Sequence, residues 1–258
     1  MATKKTPAAP APAALVVPKK AQLVLPDNIR AKFATEVAQI QSRIAAPSGN
    51  RIKPTAKKTF RMPDGTENAG PLEAIIVDFV ILNAFYEGAY DPDDILPPVC
   101  FAFGTDRGTI SPHDKLPGEP VCESCAACPN NQFGSSGKGK ACNNGYLLAL
   151  LTPDADATTN FMTIKVSPTG LKHFDAYLRS IMQAVGAPPR AVVTEISLDP
   201  ESEYASLRFG NPRPNDIIDI TEDRLAEAQQ MLSTPPDNWL APPVEKAKPA
   251  KKAASRGR

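Results

Sequence analysis

Apolar residues recur along this chain with two different periods, and each change of period marks an element. After Pro26-Asp27-Asn28, a helix-start signal, Ile29, Phe33, Val37, Ile40 and Ile44 return every three or four residues. This spacing predicts one amphipathic helix over 26–47, closed by Pro47-Ser48-Gly49. Residues 57–62 alternate instead, with Lys58, Phe60 and Met62 on one face and Lys57, Thr59 and Arg61 on the other, which predicts a strand ending at the turn Pro63-Asp64-Gly65. The most apolar run, Leu72 to Phe85, is rich in Ile, Val and Phe and has no helical cap before it, so it predicts a long central strand. A short strand is predicted at 99–103, and two more at 146–152 and 161–166. Ser167-Pro168 then opens a helix through Leu171, Phe174, Leu178 and Ile181 to Gly186. Strands at 192–198 and 204–209 form a predicted hairpin around Asp199-Pro200-Glu201, and a polar helix is predicted over 221–232.

Between the strands, residues 104–145 hold turn formers, Gly/Ser/Lys/Asn clusters and four of the five cysteines, with almost nothing to build a core. A structureless stretch of that length is abnormal in a compact domain unless something else organises it. The expected fold is therefore mainly β with flanking helices, of the α+β class. It is an OB-like small β-barrel, or strongly curved sheet, carrying an inserted four-cysteine metal-binding loop. The expected domain plan is a disordered basic tail over 1–25, an OB-like core over 26–240 that includes the insertion 104–145, and a second disordered basic tail over 241–258.

Composition narrows the picture. An apolar fraction of 42% supports a real core and excludes wholesale disorder. No run approaches the ~18 continuous apolar residues of a membrane span, and the lysines and Ala/Pro repeats of residues 1–18 do not read as an export signal. The net charge of +1 is unevenly spread. Lys4, Lys5, Lys19 and Lys20 stand without an acid near one end, and six basic residues stand against Glu245 near the other, so the segment between them is net acidic. Such tails suit loose, unselective contacts to polyanions.

Cysteines without an export signal point to metal or free thiols before disulfides. Cys122, Cys125 and Cys128 form C-x2-C-x2-C, and Cys142 follows after a glycine-rich return. Four thiolates on one tetrahedral ion would replace the missing core, which makes these four the expected ligands and zinc the expected ion. An iron–sulfur cluster is the alternative, because three cysteines in one run are also similar to ferredoxin loops. Cys100 and His113 are possible substitutes, although Cys100 alternates with Phe101 and Phe103 as a core residue would. Gly134 to Lys140 matches the phosphate-loop pattern as far as its lysine, but Ala141 stands where that motif needs Ser or Thr.

No catalytic constellation emerges. His173 and His113 lack partners, and Asp91, Asp93 and Asp94 read as turn formers, as do Glu195 and Asp199 beside their hairpin. The expectation is a binding protein, not an enzyme.

Four segments carry a likeness: Ser48-Gly-Asn-Arg-Ile-Lys53, Ile76-Val-Asp-Phe79 with Asn83-Ala-Phe-Tyr86, Cys125-Ala-Ala-Cys-Pro-Asn-Asn-Gln-Phe-Gly134, and Gly137-Lys-Gly-Lys-Ala-Cys142. Across about residues 48–210 the chain resembles a family of tailed-bacteriophage proteins, many of them assigned to single-stranded DNA binding. The resemblance implies a protein of the host cytoplasm that protects or organises single strands during replication or recombination, with phage replication proteins as partners. The chain departs from many single-strand binders in ending with basic rather than acidic residues.

The residues themselves allow that function. A single-strand groove needs cations along its floor and aromatic faces for stacking. Arg51, Lys53, Lys57, Lys58 and Arg61 surround Phe60 without an acid between them; Tyr204 and Arg208 share a face of the later hairpin; Phe133 lies beside Lys138 and Lys140. All eleven are candidate contacts to single-stranded DNA, with RNA as the alternative ligand. Competing readings are a metal-stapled nuclease or recombination enzyme and a zinc-knuckle adaptor that binds a polymerase. No membrane role is expected, and the pattern leaves the oligomeric state open.

Overall fold

The structure is a computed structural model that describes residues 50–88 and 96–240, together with Lys32. The chain divides into the units Met1–Ala46 and Pro47–Arg258, and the architecture below belongs to the second. The predicted helix over 26–47, both tails and the Asp91–Asp94 acids lie outside the described residues, apart from Lys32, which is helical and exposed.

Nine strands form one sheet: β1 (Arg51–Pro54), β2 (Phe60–Arg61), β3 (Glu67–Asn68), β4 (Leu72–Phe85), β5 (Cys100–Gly104), β6 (Cys142–Leu151), β7 (Met162–Val166), β8 (Val192–Leu198) and β9 (Leu207–Pro214). Their order is β3-β2-β1-β7-β6-β4-β8-β9, with β5 alongside β4. Among the described strands only the β1–β7 pair is parallel. This unit is mainly β, a curled open half-barrel with a few flanking helices.

The long strand β4 explains the curl. One of its edges runs against β6 from Ile75 to Phe85, while the other is shared: β8 takes Leu72 to Ile75 and β5 takes Ile81 to Phe85. The hand-over falls around a bulge between Ile76 and Asp78, and a bulge bends its strand and increases the local twist.

Both faces of β4 are covered, which is why its sequence is nearly continuously apolar. On one face Ile52, Phe60, Ile76, Tyr146, Leu148, Ile164 and Val166 pack under the helix α1 (Leu171–Val185) through its Phe174, Tyr177 and Ile181. On the other, Ile75, Val77, Val80, Ala149 and Leu151 pack under Ala228 and Leu232 of α3 (Leu225–Ser233). Helix α1 follows a single 3-10 turn, Pro168–Gly170, and ends where Gly186 takes the left-handed conformation (φ 67°) and donates its N–H to the Met182 carbonyl.

Several predicted elements move. Of the strand predicted over 57–62 only Phe60 and Arg61 are strand, as β2, and Lys57 and Lys58 lie in the turn that joins it to β1. The predicted helix over 221–232 is broken at Arg224 into α2 (Ile218–Asp223) and α3. A further helix, α4 (Asp237–Leu240), follows, and its Trp239 closes a small cluster with Leu82 and Phe101. Among the described residues, no helix is long and apolar enough to cross a membrane.

Candidate functional site

The segment between β5 and β6 is irregular apart from the 3-10 turn Pro129–Asn131. It is not wholly coreless, since Ile110 and Cys125 join the main core and Ile110 packs against Gly104. Its polar side chains act as struts. The Asn131 amide donates to the Cys125 carbonyl at 2.7 Å, and the Gln132 amide donates to the carbonyls of Ala126 and Cys128. Asn131 Oδ1 in turn accepts from Lys140 Nζ at 3.3 Å. The Asn-Asn-Gln that follows the third cysteine thus holds the preceding loop in its curl.

All five cysteines line one cavity of about 10 Å³, together with Asn83, Phe85 and Phe101. Clefts that take organic ligands run to about 300–1,000 Å³, so this space suits an ion and not a substrate. Burial pushes the Cys142 thiol up to about 12, with the neighbouring thiols adding to the rise. Cys122 is also pushed up to about 12, by burial first and then by its hydrogen bond with Cys128 and the charge of the other sulfurs. Burial likewise raises Cys100 and Cys125. These are thiols turned to protein partners, as when Cys122 donates to the Ser124 carbonyl at 3.2 Å. As placed, no three Cys, His, Asp or Glu side chains among the described residues form a group spaced for a metal ion. The donor type is nonetheless right for zinc: several sulfurs on one small cavity, with no carboxylate among its lining residues. Cys100, expected mainly as a core residue, lines the same cavity. His113 does not: its ring packs against Phe101 at 5.3 Å and its Nε2 lies 3.3 Å from the Ser233 carbonyl.

The glycine loop beyond Phe133 is no phosphate cradle. The N–H groups of Gly134 and Ser136 donate to the Gly139 carbonyl, that of Ser135 to Gln132 and that of Gly137 to Gly134, so none of the four points at a ligand. Phe133 itself is 82% exposed, with the Lys140 ammonium 5.4 Å from its ring centre and Lys138 exposed nearby in sequence.

The remaining candidates separate into two groups. Phe60 is only 1% exposed, because its side of β2 faces the core; a ring so placed cannot stack on a base, and that expectation is corrected. Lys58 has a positive φ (60°) in its turn, and its ammonium donates to the carbonyls of Ser202 and Tyr204 at 2.5 and 2.6 Å. It ties the β1–β2 turn to the β8–β9 turn, which commits two of its three N–H donors within the protein. Arg208 is committed too, with one guanidinium nitrogen 2.6 Å from Asp199 and another against the His173 ring. It lines an open cleft of about 740 Å³ with Arg107, Lys172, His173, Asp175 and Asp199, where cations and acids largely offset each other. Tyr204 is 63% exposed in the turn before β9. Arg61 is exposed and lies 3.4 Å from Glu67.

Lys57 is exposed in the β1–β2 turn, and Arg51 and Lys53 have a neighbour that the sequence pattern did not mark. In the parallel pair Arg51 stands opposite Thr163 and Ile52 opposite Ile164, so the same register sets Lys53 beside Lys165. Across the hairpin Lys53 faces Arg61. Since Ile52, Phe60 and Ile164 point into the main core, Arg61, Lys53 and Lys165 form a row on the opposite face across three adjacent strands. The only trace of Lys165 in the sequence is its place between Ile164 and Val166 in an alternating strand.

Comparison with protein-family models, with curated proteins and with solved structures finds no match to this chain.

Proposed function

We propose that this protein binds single-stranded nucleic acid, DNA before RNA, on an OB-like half-barrel, and that its cysteine loop is stapled by a structural zinc ion. The reading rests on Phe133. A large aromatic ring stands 82% exposed on a strutted loop, with one lysine over its face and another close by in sequence. Every base offers a π-face to such a ring, and cations beside it suit the adjoining phosphates. The basic row on β1, β2 and β7 supplies a second cationic surface, as a strand longer than one nucleotide requires. The ligands would be Cys122, Cys125, Cys128 and Cys142. A bound zinc would displace their protons and hold the loop that carries Phe133. Protection of single strands during phage replication or recombination is the role this binding would serve.

The test is anisotropy of a labelled oligo(dT) and of a matched duplex, with metal analysis of the same preparation. Single strands should bind more tightly than duplex, and the protein should carry about one zinc per chain. Phe133→Ala should cost about 1–3 kcal/mol for each stacked base, roughly five- to 150-fold in affinity, at an unchanged melting temperature. Equal affinity for duplex and single strand, with no effect of Phe133→Ala, would remove the reading.

A further inference from the structure

We propose that Arg51 and Lys165 together form a site for a phosphate group on the sheet face opposite α1, and that this phosphate belongs to the backbone of the bound strand. The second half of the proposal rests on the single-strand reading above; the first half stands on the two side chains.

The two cations are held close by the fold. They sit on the parallel pair β1–β7, each alternating with residues of the main core. Lys165 does not simply project into water. On the next strand Gly145 has no side chain, and a Cβ there would meet Cε of Lys165 at 3.3 Å and the Val166 carbonyl at 2.5 Å. The lysine stem therefore lies along the sheet in space that only glycine leaves open. Burial lowers Arg51, and burial together with the Arg51 charge brings Lys165 down to about 8.

Among the described residues no carboxylate answers them. Several other arginines find carboxylates, among them Arg190 with Glu222, Arg208 with Asp199, Arg213 with Glu73 and Arg224 with Glu227. Among the described residues neither Arg51 nor Lys165 has a side-chain hydrogen bond or an ion pair; the groups acting on them are each other, Tyr86 and Cys142. Arg51 stands opposite Thr163, diagonal to Lys165, and partly desolvated like charges so near each other are unfavourable unless an anion joins them. A phosphodiester has the matching chemistry, with one negative charge, two free oxygens for the arginine fork and a third contact for the ammonium. Exposed Lys53 continues the row for a neighbouring phosphate, which favours a chain of phosphates over a lone one.

The experiment has two arms on the full-length protein. In the first, oligo(dT) affinity is followed against salt for the wild type, Arg51→Gln, Lys165→Met and Lys165→Arg. Each charge removal should lower the slope of log K against log salt by about 0.7, and Lys165→Arg should retain it. In the second, the NMR signal of the Lys165 side chain is followed as inorganic phosphate replaces chloride at constant ionic strength, and it should shift with saturation. Strand binding with unchanged slopes in both charge-removal variants, and no response to phosphate, overturns the site while leaving the single-strand reading intact. A phosphate response in a protein that ignores oligo(dT) keeps the site and removes its assignment to a strand. Should Lys165→Met fail to fold, Lys165→Arg and the phosphate titration of the wild type decide the matter.

Discussion

Lys165 holds its charge against its surroundings, and the cost has a direction in pH. Its folded pKa of about 8 lies below the ordinary 10.5, lowered first by burial, then by Arg51 on β1, with Cys142 on β6 acting the other way. Between those two values the unfolded chain binds the proton more readily, so this group makes stability rise with pH across that window. Below about 8 its penalty is fully present. Lys165→Met should therefore melt higher than the wild type at pH 7, and the gap should close as pH climbs through 8 towards 10. Burial raises Tyr86, which stands beside Arg51, but its titration is common to both proteins and leaves the difference intact. A gap that stays constant across that range would refute this account of Lys165. Phe60 makes the opposite kind of case. It is surrounded in sequence by lysines, yet its ring is in the main core, so Phe60→Ala should act on folding and not on stacking. Truncating a buried phenylalanine costs about 3–5 kcal/mol, which urea denaturation would register directly. Unchanged stability with lost strand affinity would return the ring to the nucleic-acid surface.

At the scale of elements, the cysteine segment and the sheet have different sources of order. The sheet has apolar cores on both faces, whereas the segment leading to β6 is anchored mainly through Ile110, Cys125 and the amide struts of Asn131 and Gln132. Regions with few buried contacts open first. Chelation of a bound ion should therefore speed amide exchange over residues 105–141 while β4 and β6 stay protected, and Cys125→Ser should do the same without chelator. Unaltered exchange in both experiments would mean that hydrogen bonds alone hold the loop. Legibility follows the same division. Strands β4 and β8 were readable to the residue, because a run rich in β-branched residues between turn signals has few alternatives. The β1–β2 turn was not, since Lys58 alternates as a strand residue would, and its positive φ has no signature outside glycine and asparagine. The break at Arg224 was missed for a similar reason. Its guanidinium donates to the Thr159 carbonyl, a contact that reaches across the fold and leaves the local periodicity untouched.

At the scale of the whole sheet, what draws its curl together is tertiary. Lys58 fastens the β1–β2 turn onto the β8–β9 turn, drawing together parts that lie near opposite ends of the strand order. The sequence by itself determined the mainly β class, the central strand, the helix ending at Gly186 and the gathering of cysteines in a segment poor in core residues. Each is written in local spacing, and local spacing is set by backbone geometry that acts within a few residues. Which cations are free was decided only in three dimensions. Lys58 and Arg208 carry the same formal charge as Lys53 and Arg51, but the fold supplies the first two with carbonyl or carboxylate partners, whereas among the described residues the second two have none. The meeting of Arg51 with Lys165 depends on a parallel pairing between strands far apart in the chain. No periodicity encodes such a pairing, because strand register is set by which buried faces must match across the completed sheet.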